Sequence, residues 1–386
     1  MKYMQQALCL KDETITHRRY FHRNAEAGTE CPLAQAYILH ELAALGIPAQ
    51  SCGGGVSAEL GKGTRTILLR ADMDALPMAE ESGLPFACPT GKAAHTCGHD
   101  LHAAMLLTAA KLLKKNETAL CGIVRFMFQP AEELLCGANR MITDGVLSDP
   151  LPDAAFAVHV GPEGRVGECW YNADSTMMLS CDAFRITVQG KGGHGAYPHH
   201  CIDPLPAAMR ICDALRHLRT NEIDPASTAV VTIGSLHAGT AYNIIPEQAV
   251  LQGSIRAETP QSRAHLTARL HEAAAQIAAA YRCRVQITLL AENPPLSCDP
   301  ILTEQMRQYA EELPDAVLHS GIRSFGSDDF AQITEKIPSA YFFLSAGVQG
   351  KSSAPSHNPK VIFNEDVLPF GAAVLAHCTE KWLREP

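Results

Sequence analysis

The sequence predicts an α/β protein in which a helix-covered, mostly parallel sheet is interrupted by an inserted ferredoxin-like α+β domain. Three observations predict it. Strand and helix signals alternate up to about residue 180, the order changes to β-α-β-β-α-β from Cys181, and after the break Asn293-Pro294-Pro295 the chain returns to segments that read as site loops. The 386 residues exceed one typical domain. The boundaries that follow are 1–180 with 293–386 for the sheet domain, in two segments, and 181–292 for the insert.

Each element has its own signal. Leu33–Leu45 carries apolar residues at helical spacing and stops at Gly46. Thr66–Arg70, Gly122–Phe128 and Ala154–Val160 are short apolar runs read as buried strands, with Ala103–Leu113 as a helix between the first two. The segments just after these strands, Ala71–Leu76, Gln129–Glu133 and Val158–Gly161, fall where open α/β sheets hold their ligands. In the insert, Ala183–Gln189 alternates as a strand, Asp203–Arg219 reads as a helix, and Thr228–Leu236 and Gln248–Ile255 read as strands. The Ala-rich Gln261–Tyr281 is a helix and Arg284–Leu290 a closing strand.

Hydrophobic residues make up 46% and charged residues 19%, an ordinary globular balance. A net charge of −9 with pI near 6.0 gives no overall basic footprint for nucleic acid. The 14 cysteines lack regular spacing or a C-x-x-C pair, which fits free thiols of a reducing compartment and predicts a cytoplasmic home. The first twenty residues include Lys11, Asp12, Glu13, Arg18 and Arg19, so no signal peptide is expected, and no run of about 18 apolar residues predicts a membrane span.

The densest chemistry is His95-Thr96-Cys97-Gly98-His99-Asp100-Leu101-His102, placed ahead of the predicted helix. In a loop or extended segment Cys97 and His99, two apart, can turn toward one ion, while Asp100 and His102 brace the ligands. Gln129-Pro130-Ala131-Glu132-Glu133 adds two adjacent carboxylates after a strand. A hydrolytic metal site needs two things of such a pair: one carboxylate on the metal, and one beside the attacking water to take its proton and pass it to the leaving amine. His159 ends an apolar strand, where an unpartnered imidazole is costly, and His357 lies in a loop between Pro355 and Pro359. Together Cys97, His99, Glu133, His159 and His357 give five ligands, too many for one tetrahedral ion and suited to two ions sharing a bridge, with the Cys97 thiolate as a bridging candidate.

These motifs resemble the M20 family of metallopeptidases, in the amidohydrolase branch that contains N-acyl-amino-acid, hippurate and auxin-conjugate hydrolases. The resemblance runs from about His17 to the C-terminus. It rests on Arg70-Ala71-Asp72-Met73-Asp74-Ala75-Leu76-Pro77, the two motifs above, the strand ending at His159, Gly190-Lys191-Gly192-Gly193-His194-Gly195-Ala196-Tyr197-Pro198-His199, Asn243-Ile244-Ile245-Pro246-Glu247 and Ser356-His357-Asn358-Pro359. The resemblance implies that the five residues named are the metal ligands and that Glu132 is the general base. It gives Asp74 a supporting catalytic role, and leaves Asp72 off the metal where the wider family has a ligating His. It also implies that His194 steadies an oxyanion, commonly from the partner subunit, and that Asn243 and Arg256 meet the substrate's free carboxylate. The insert then becomes a lid and dimerisation domain. Departures from the family pattern stand at His22-Arg23-Asn24-Ala25-Glu26-Ala27, at Leu101 and at Gly326-Ser327-Asp328-Asp329-Phe330; none removes a proposed ligand.

The reading that follows is a cytoplasmic homodimer with two divalent ions per chain (Zn, Mn, Co or Ni). It hydrolyses the amide of a small-molecule N-acyl amino acid to a carboxylic acid and a free amino acid, and has neither nucleic acid nor membrane as a partner. The rivals are a dipeptidase or metallocarboxypeptidase on the same site, and a non-catalytic dimer that binds a small molecule.

Overall fold

The computed structural model describes residues 2–174, 176–350 and 354–385. The chain divides into two compact units. One comprises Met1–Met177, Ser297–Arg323 and Asp328–Pro386; the other comprises Met178–Leu296 and Ser324–Ser327. No helix among the described residues is long and apolar enough to cross a membrane.

The first unit holds an eight-stranded sheet, in the order Ala49–Cys52, Gly55–Gly61, Ile123–Gln129, Thr66–Asp72, Ala154–Gly161, Ser339–Ser345, Glu168–Tyr171 and Val317–Ser320. The four middle strands run parallel, and the two at the start of this order add antiparallel. Sequence reasoning found three of the four middle strands, because strands covered by helices are apolar throughout and every residue of Thr66–Asp72 is buried, but it missed the almost wholly buried Ser339–Ser345. It missed the edges Ala49–Cys52 and Val317–Ser320, which are short and half exposed. The helices His99–Lys115 and Val367–Arg384 pack on each other and on the strands Thr66–Asp72 and Ala154–Gly161.

The second unit is a four-stranded antiparallel sheet in the order Ala229–Ala238, Gln248–Ala257, Cys181–Gln189 and Arg284–Asn293, with the helices Pro204–Glu222 and Pro260–Ala280 packed on it. Numbered by appearance, the strand order is 2-3-1-4, the ferredoxin-like arrangement. Asp203 and Thr259 start the two helices, accepting from Leu205 N and Ser262 N ahead of a proline at the first turn.

One helix boundary corrects the sequence reading. The helix expected over Ala103–Leu113 spans His99–Lys115, so His99 and His102 stand on it rather than in a loop before it. Gly98, at φ 88°, turns the chain into the helix, a conformation that only glycine adopts freely. The polar first turn hid the start because its side chains serve buried partners instead of solvent. Asp100 is a second correction: it braces no candidate ligand. Its Oδ2 accepts from Arg18 Nε at 3.0 Å and His22 Nδ1 at 2.8 Å, fastening helix Lys11–Arg23 to helix His99–Lys115.

His22 also reaches Glu80 Oε1 from Nε2 at 3.0 Å. Burial opposes a charge on His22, but the hydrogen bond and field of Asp100, helped by Glu80, outweigh it and raise the imidazole to about 9. A group raised in the folded state stabilises fully below its unfolded value near 6.5, and loses that contribution as pH rises through its folded value. Urea unfolding should therefore show stability falling by on the order of 3 kcal/mol from this group between pH about 6.5 and above 9. His22→Gln should be less stable at the lower pH and lack that part of the slope. Equal slopes in the two proteins would show that His22 is neutral when folded.

Candidate metal centre

The parallel strands end where the candidate residues begin. Asp72 closes one strand, Gln129 the next, and His159 lies near the end of Ala154–Gly161. Beyond Gln129 the chain turns sharply, with Ala131 at φ 56°, and presents Glu132 and Glu133. Asp74 fixes that turn: its Oδ1 accepts from Glu132 N at 3.0 Å and its Oδ2 from Glu133 N at 3.2 Å. The same carboxylate lies 3.5 Å from His99 Nδ1, so one side chain orients three others.

Two groups of possible donors form around Cys97, one with His99 and His159 and one with Glu133 and His357; within each, the donor atoms lie within 4.8 Å of one another. Cys97 Sγ is 3.5 Å from His159 Nε2, and His357 Nε2 is 3.4 Å from Glu133 Oε1. His99 Nε2 is 3.7 Å from Glu132 Oε2 and 3.8 Å from Glu133 Oε1. His357, at φ 65° and half exposed, is tied to the Cys97 segment by His357 N donating to Thr96 O at 2.9 Å.

Hydrogen bonds settle which imidazole nitrogens are free. His159 Nδ1 donates to Val160 O at 2.8 Å, leaving the Nε2 lone pair directed at Cys97. His102 Nε2 accepts from Val160 N at 2.9 Å, so its Nδ1 carries the proton and donates to Asp72 Oδ1 at 2.5 Å. Both nitrogens of His102 are thus used, and its work is to brace the His159 strand. Asp72 is equally occupied, with Oδ2 accepting from Arg70 Nη1 at 2.6 Å.

Arg70, Gln129, Asp328 and Asp329 complete this layer. Arg70 donates to Gln129 Oε1, Asp72, Asp328 and Asp329 at 2.6–3.2 Å, and Tyr341 OH donates to Asp328 Oδ2 at 2.7 Å. Sequence reading gave these residues no separate role. Their signal was an arginine inside the apolar run Ile67-Leu68-Leu69-Arg70-Ala71, a position where a charge needs buried partners.

These donors fit a divalent cation. His99 Nε2 and Glu133 Oε1 are buried without a hydrogen-bond partner, an arrangement that is costly unless another ligand meets them, whereas His99 Nδ1 faces Asp74. The carboxyl groups crowd one another. Burial, with Asp74 and Asp72 adding to it and His99 opposing, pushes Glu133 up to about 7, while burial and Asp328 push Glu132 well above the carboxylate range. Burial opposes a proton on His99, but Asp72 and Asp74 hold it there. A divalent cation offers these groups the same compensation with a larger charge.

The three remaining residues singled out from sequence lie on the second unit. His194 is exposed on a two-residue strand paired with Ile244, and Gly195 N donates to Asn243 O at 2.8 Å, so His194 and Asn243 are neighbours. His194 Nδ1 accepts from Ala196 N at 3.1 Å, which leaves Nε2–H as a free donor in the neutral ring. Arg256 stands inside strand Gln248–Ala257, half buried, and its Nη1 donates to Phe325 O and Ser327 Oγ, each at 3.1 Å.

The protonation state gives a test by titration. Burial holds the Cys97 thiol up to about 12, and Glu133 near 7, so both must lose protons to become donors. His99, held protonated by Asp72 and Asp74, must lose one too, so Zn²⁺ titration of the apoprotein near pH 7, by calorimetry in buffers of different ionisation enthalpy, should release about two to three protons per chain, with affinity rising as pH rises. Cys97→Ala should release about one fewer. Unchanged release in that variant would remove Cys97 from the donor set.

The profile of peptidase family M20/M25/M40 matches residues 68–381. The chain is 34% identical over 377 residues to thermostable carboxypeptidase 2 of Saccharolobus solfataricus, spanning 95% of this chain and 94% of that one. It is 32% identical over 363 residues to N-acetyl-L-cysteine deacetylase of Bacillus subtilis, spanning 93% and 85%. It is also similar to the solved structure of the Bacillus subtilis YXEP protein, a dinuclear metal binding peptidase from the M20 family, with a TM-score of 0.81, 29% identity, and 97% and 99% of the two chains covered. A profile match over most of the chain and relatives above 30% identity along nearly its whole length agree with the geometry of the centre, and the chain belongs to peptidase family M20/M25/M40.

Proposed function

We propose that this protein is a metal-dependent amidohydrolase that cleaves the amide bond of N-acyl amino acids, releasing a carboxylic acid and a free amino acid. The observation that carries this reading is the division of labour among the acidic groups. Glu133 belongs to a donor group built on Cys97; the adjacent Glu132 shares one group with His99 and Glu133 and another with Asp328 and Asp329 but none with Cys97, and lies 3.7 Å from His99. Cys97, His99, Glu133, His159 and His357 would hold two divalent cations, Cys97 being common to both donor groups. Thiolate and imidazole favour Zn²⁺, and Mn²⁺, Co²⁺ and Ni²⁺ suit the same set. When bound, the cations supply Lewis-acid polarisation of the scissile carbonyl and of the attacking water.

Glu132 takes the proton of that water and returns it to the leaving nitrogen, a task suited to a buried carboxyl whose proton affinity is raised. His194 Nε2–H steadies the developing oxyanion. Asn243 and Arg256 orient the free carboxylate of the substrate, Arg256 by exchanging its bonds to Phe325 O and Ser327 Oγ for the substrate. The relatives include both a deacetylase of an N-acetyl amino acid and a carboxypeptidase. A peptidase on the same centre is the alternative that the carboxypeptidase favours. The protein works as a homodimer, and with none of its 14 cysteines in a disulfide it suits the reducing cytoplasm.

Turnover of an N-acetyl-amino-acid series against a dipeptide series tests the substrate class; faster dipeptide hydrolysis would favour the peptidase. On the better substrate, Glu132→Ala should keep its metal yet lose about 10²–10⁴-fold in kcat. Mixing it with His194→Ala tests the dimer. If His194 serves the other subunit, random exchange makes about half the dimers mixed, each with one complete site, and roughly a quarter of wild-type activity returns. No recovery despite demonstrated exchange would place His194 in its own chain's service or outside catalysis.

A further inference from the structure

The turn that presents Glu132 and Glu133 is held at three places. Asp74 accepts from the two amides in its middle. Its two ends meet a carboxylate that comes from far along the chain: Asp329 Oδ1 accepts from Gln129 Nε2 at 2.6 Å, and Asp329 Oδ2 accepts from Ala138 N at 2.9 Å. Asp329 is wholly buried, and Arg70 Nη2 lies 3.2 Å from its Oδ1.

The segment between those ends needs holding. Ala131 and Leu135 adopt φ of 56° and 53°, a region that side chains other than glycine populate sparsely. Its internal bonds are few: Leu135 N donates to Glu132 O at 2.7 Å, and Cys136 N and Gly137 N to Ala131 O at 3.3 and 3.2 Å. The ends approach so closely that a Cβ on Gly137 would lie 1.6 Å from Pro130 O. Strain of this kind persists only where surrounding groups over-determine the backbone.

We infer that Asp329 is a positioning residue, a clamp that joins Gln129 to Ala138 and thereby fixes where the Glu132 carboxylate stands for proton transfer. Its carboxylate lies within 4.8 Å of that of Glu132, but its hydrogen bonds go to the two ends of the turn and to Arg70. The assignment rests on the hydrolytic reading given above for Glu132.

Asp329→Asn is the probe, because it keeps shape while exchanging one acceptor for a donor. With its oxygen toward Ala138 N, the new amide meets the Nε2 donor of Gln129; rotating Gln129 only turns that donor toward Arg70 Nε. Adding Gln129→Glu removes the conflict at Gln129, since a carboxylate there accepts from both the new amide and Arg70 Nε, and the net charge of the wild type returns; the new amide still faces Arg70 Nη2, which keeps its bond to Asp328 Oδ1 at 2.9 Å. The measurements are metal content, kcat and KM on the best N-acyl amino acid, and amide hydrogen exchange of the segment 129–138.

Asp329→Asn should retain metal and lose about 10- to 100-fold in kcat with KM within about threefold, the signature of misplacement without lost binding. Exchange across 129–138 should quicken by about tenfold or more while that of the helix 99–115 stays unchanged. The double variant should recover most of both losses, an outcome that a merely destabilised or misfolded protein would not show. Wild-type kcat and exchange in Asp329→Asn, or a loss that the double variant leaves unrestored, would overturn the inference. The exchange arm needs no substrate, so a wild type inert toward N-acyl amino acids would defeat the substrate reading, while exchange alone would still decide the clamp.

Discussion

A guanidinium sits in the middle of a parallel strand, wholly buried, where water cannot solvate it. Arg70 is compatible with that place because Asp72, Asp328 and Asp329 surround it and Gln129 accepts from its Nε. Removing one partner from such a buried set typically costs about 3–5 kcal/mol, since the remaining charges keep their desolvation penalty without their compensation. Each partner then passes the constraint outward. Asp72 orients His102, and His102 accepts from the backbone beside His159. Gln129 and Asp329 hold the two ends of the turn that carries Glu132 and Glu133. His159 and Glu133 therefore hang from one charge, although neither touches it.

That charge does not balance the region. Asp72, Asp74, Glu132, Glu133, Asp328 and Asp329 bring six carboxyl groups against the single Arg70, with His99 as a further positive partner. The excess appears as proton affinity: burial and Asp328, opposed by Arg70, raise Asp329 to about 7, and Glu133 rises as far. Divalent cations relieve the same excess without protonating the groups that hydrolysis needs ionised. Structure and chemistry converge here, because the orphaned His99 Nε2 and Glu133 Oε1 lie 3.8 Å apart and each residue shares a donor group with Cys97.

The fold class could be read because burial leaves a direct trace. Strands such as Thr66–Asp72 and Ala154–Gly161 are apolar runs, and the second unit announces itself by element order. The edges left little trace, being four residues long and partly exposed. In the site, the cluster around Cys97 was legible locally, since thiolate, imidazole and carboxylate rarely crowd into eight residues without a shared partner. His159 carried a weaker signal, an imidazole at the end of an apolar strand, and His357, in a loop between two prolines, carried none that separates it from an exposed histidine. The start of helix His99–Lys115 was misplaced for a related reason. His99, Asp100 and His102 are polar yet buried, and periodicity cannot tell a polar residue with a buried partner from one in solvent. Asp329 was out of reach, because its partners Gln129 and Ala138 lie some 200 residues away in sequence.

In the proposed centre Cys97 would join two cation sites, with His159 and Glu133 held in place by the Arg70 network. Anomalous scattering from crystals of the Zn²⁺-loaded protein measures this directly. The account predicts two peaks per chain, with Cys97 Sγ within about 2.5 Å of both, His99 and His159 on one side and Glu133 and His357 on the other. A single peak under saturating metal, or two peaks neither of which is bonded to Cys97, would contradict it.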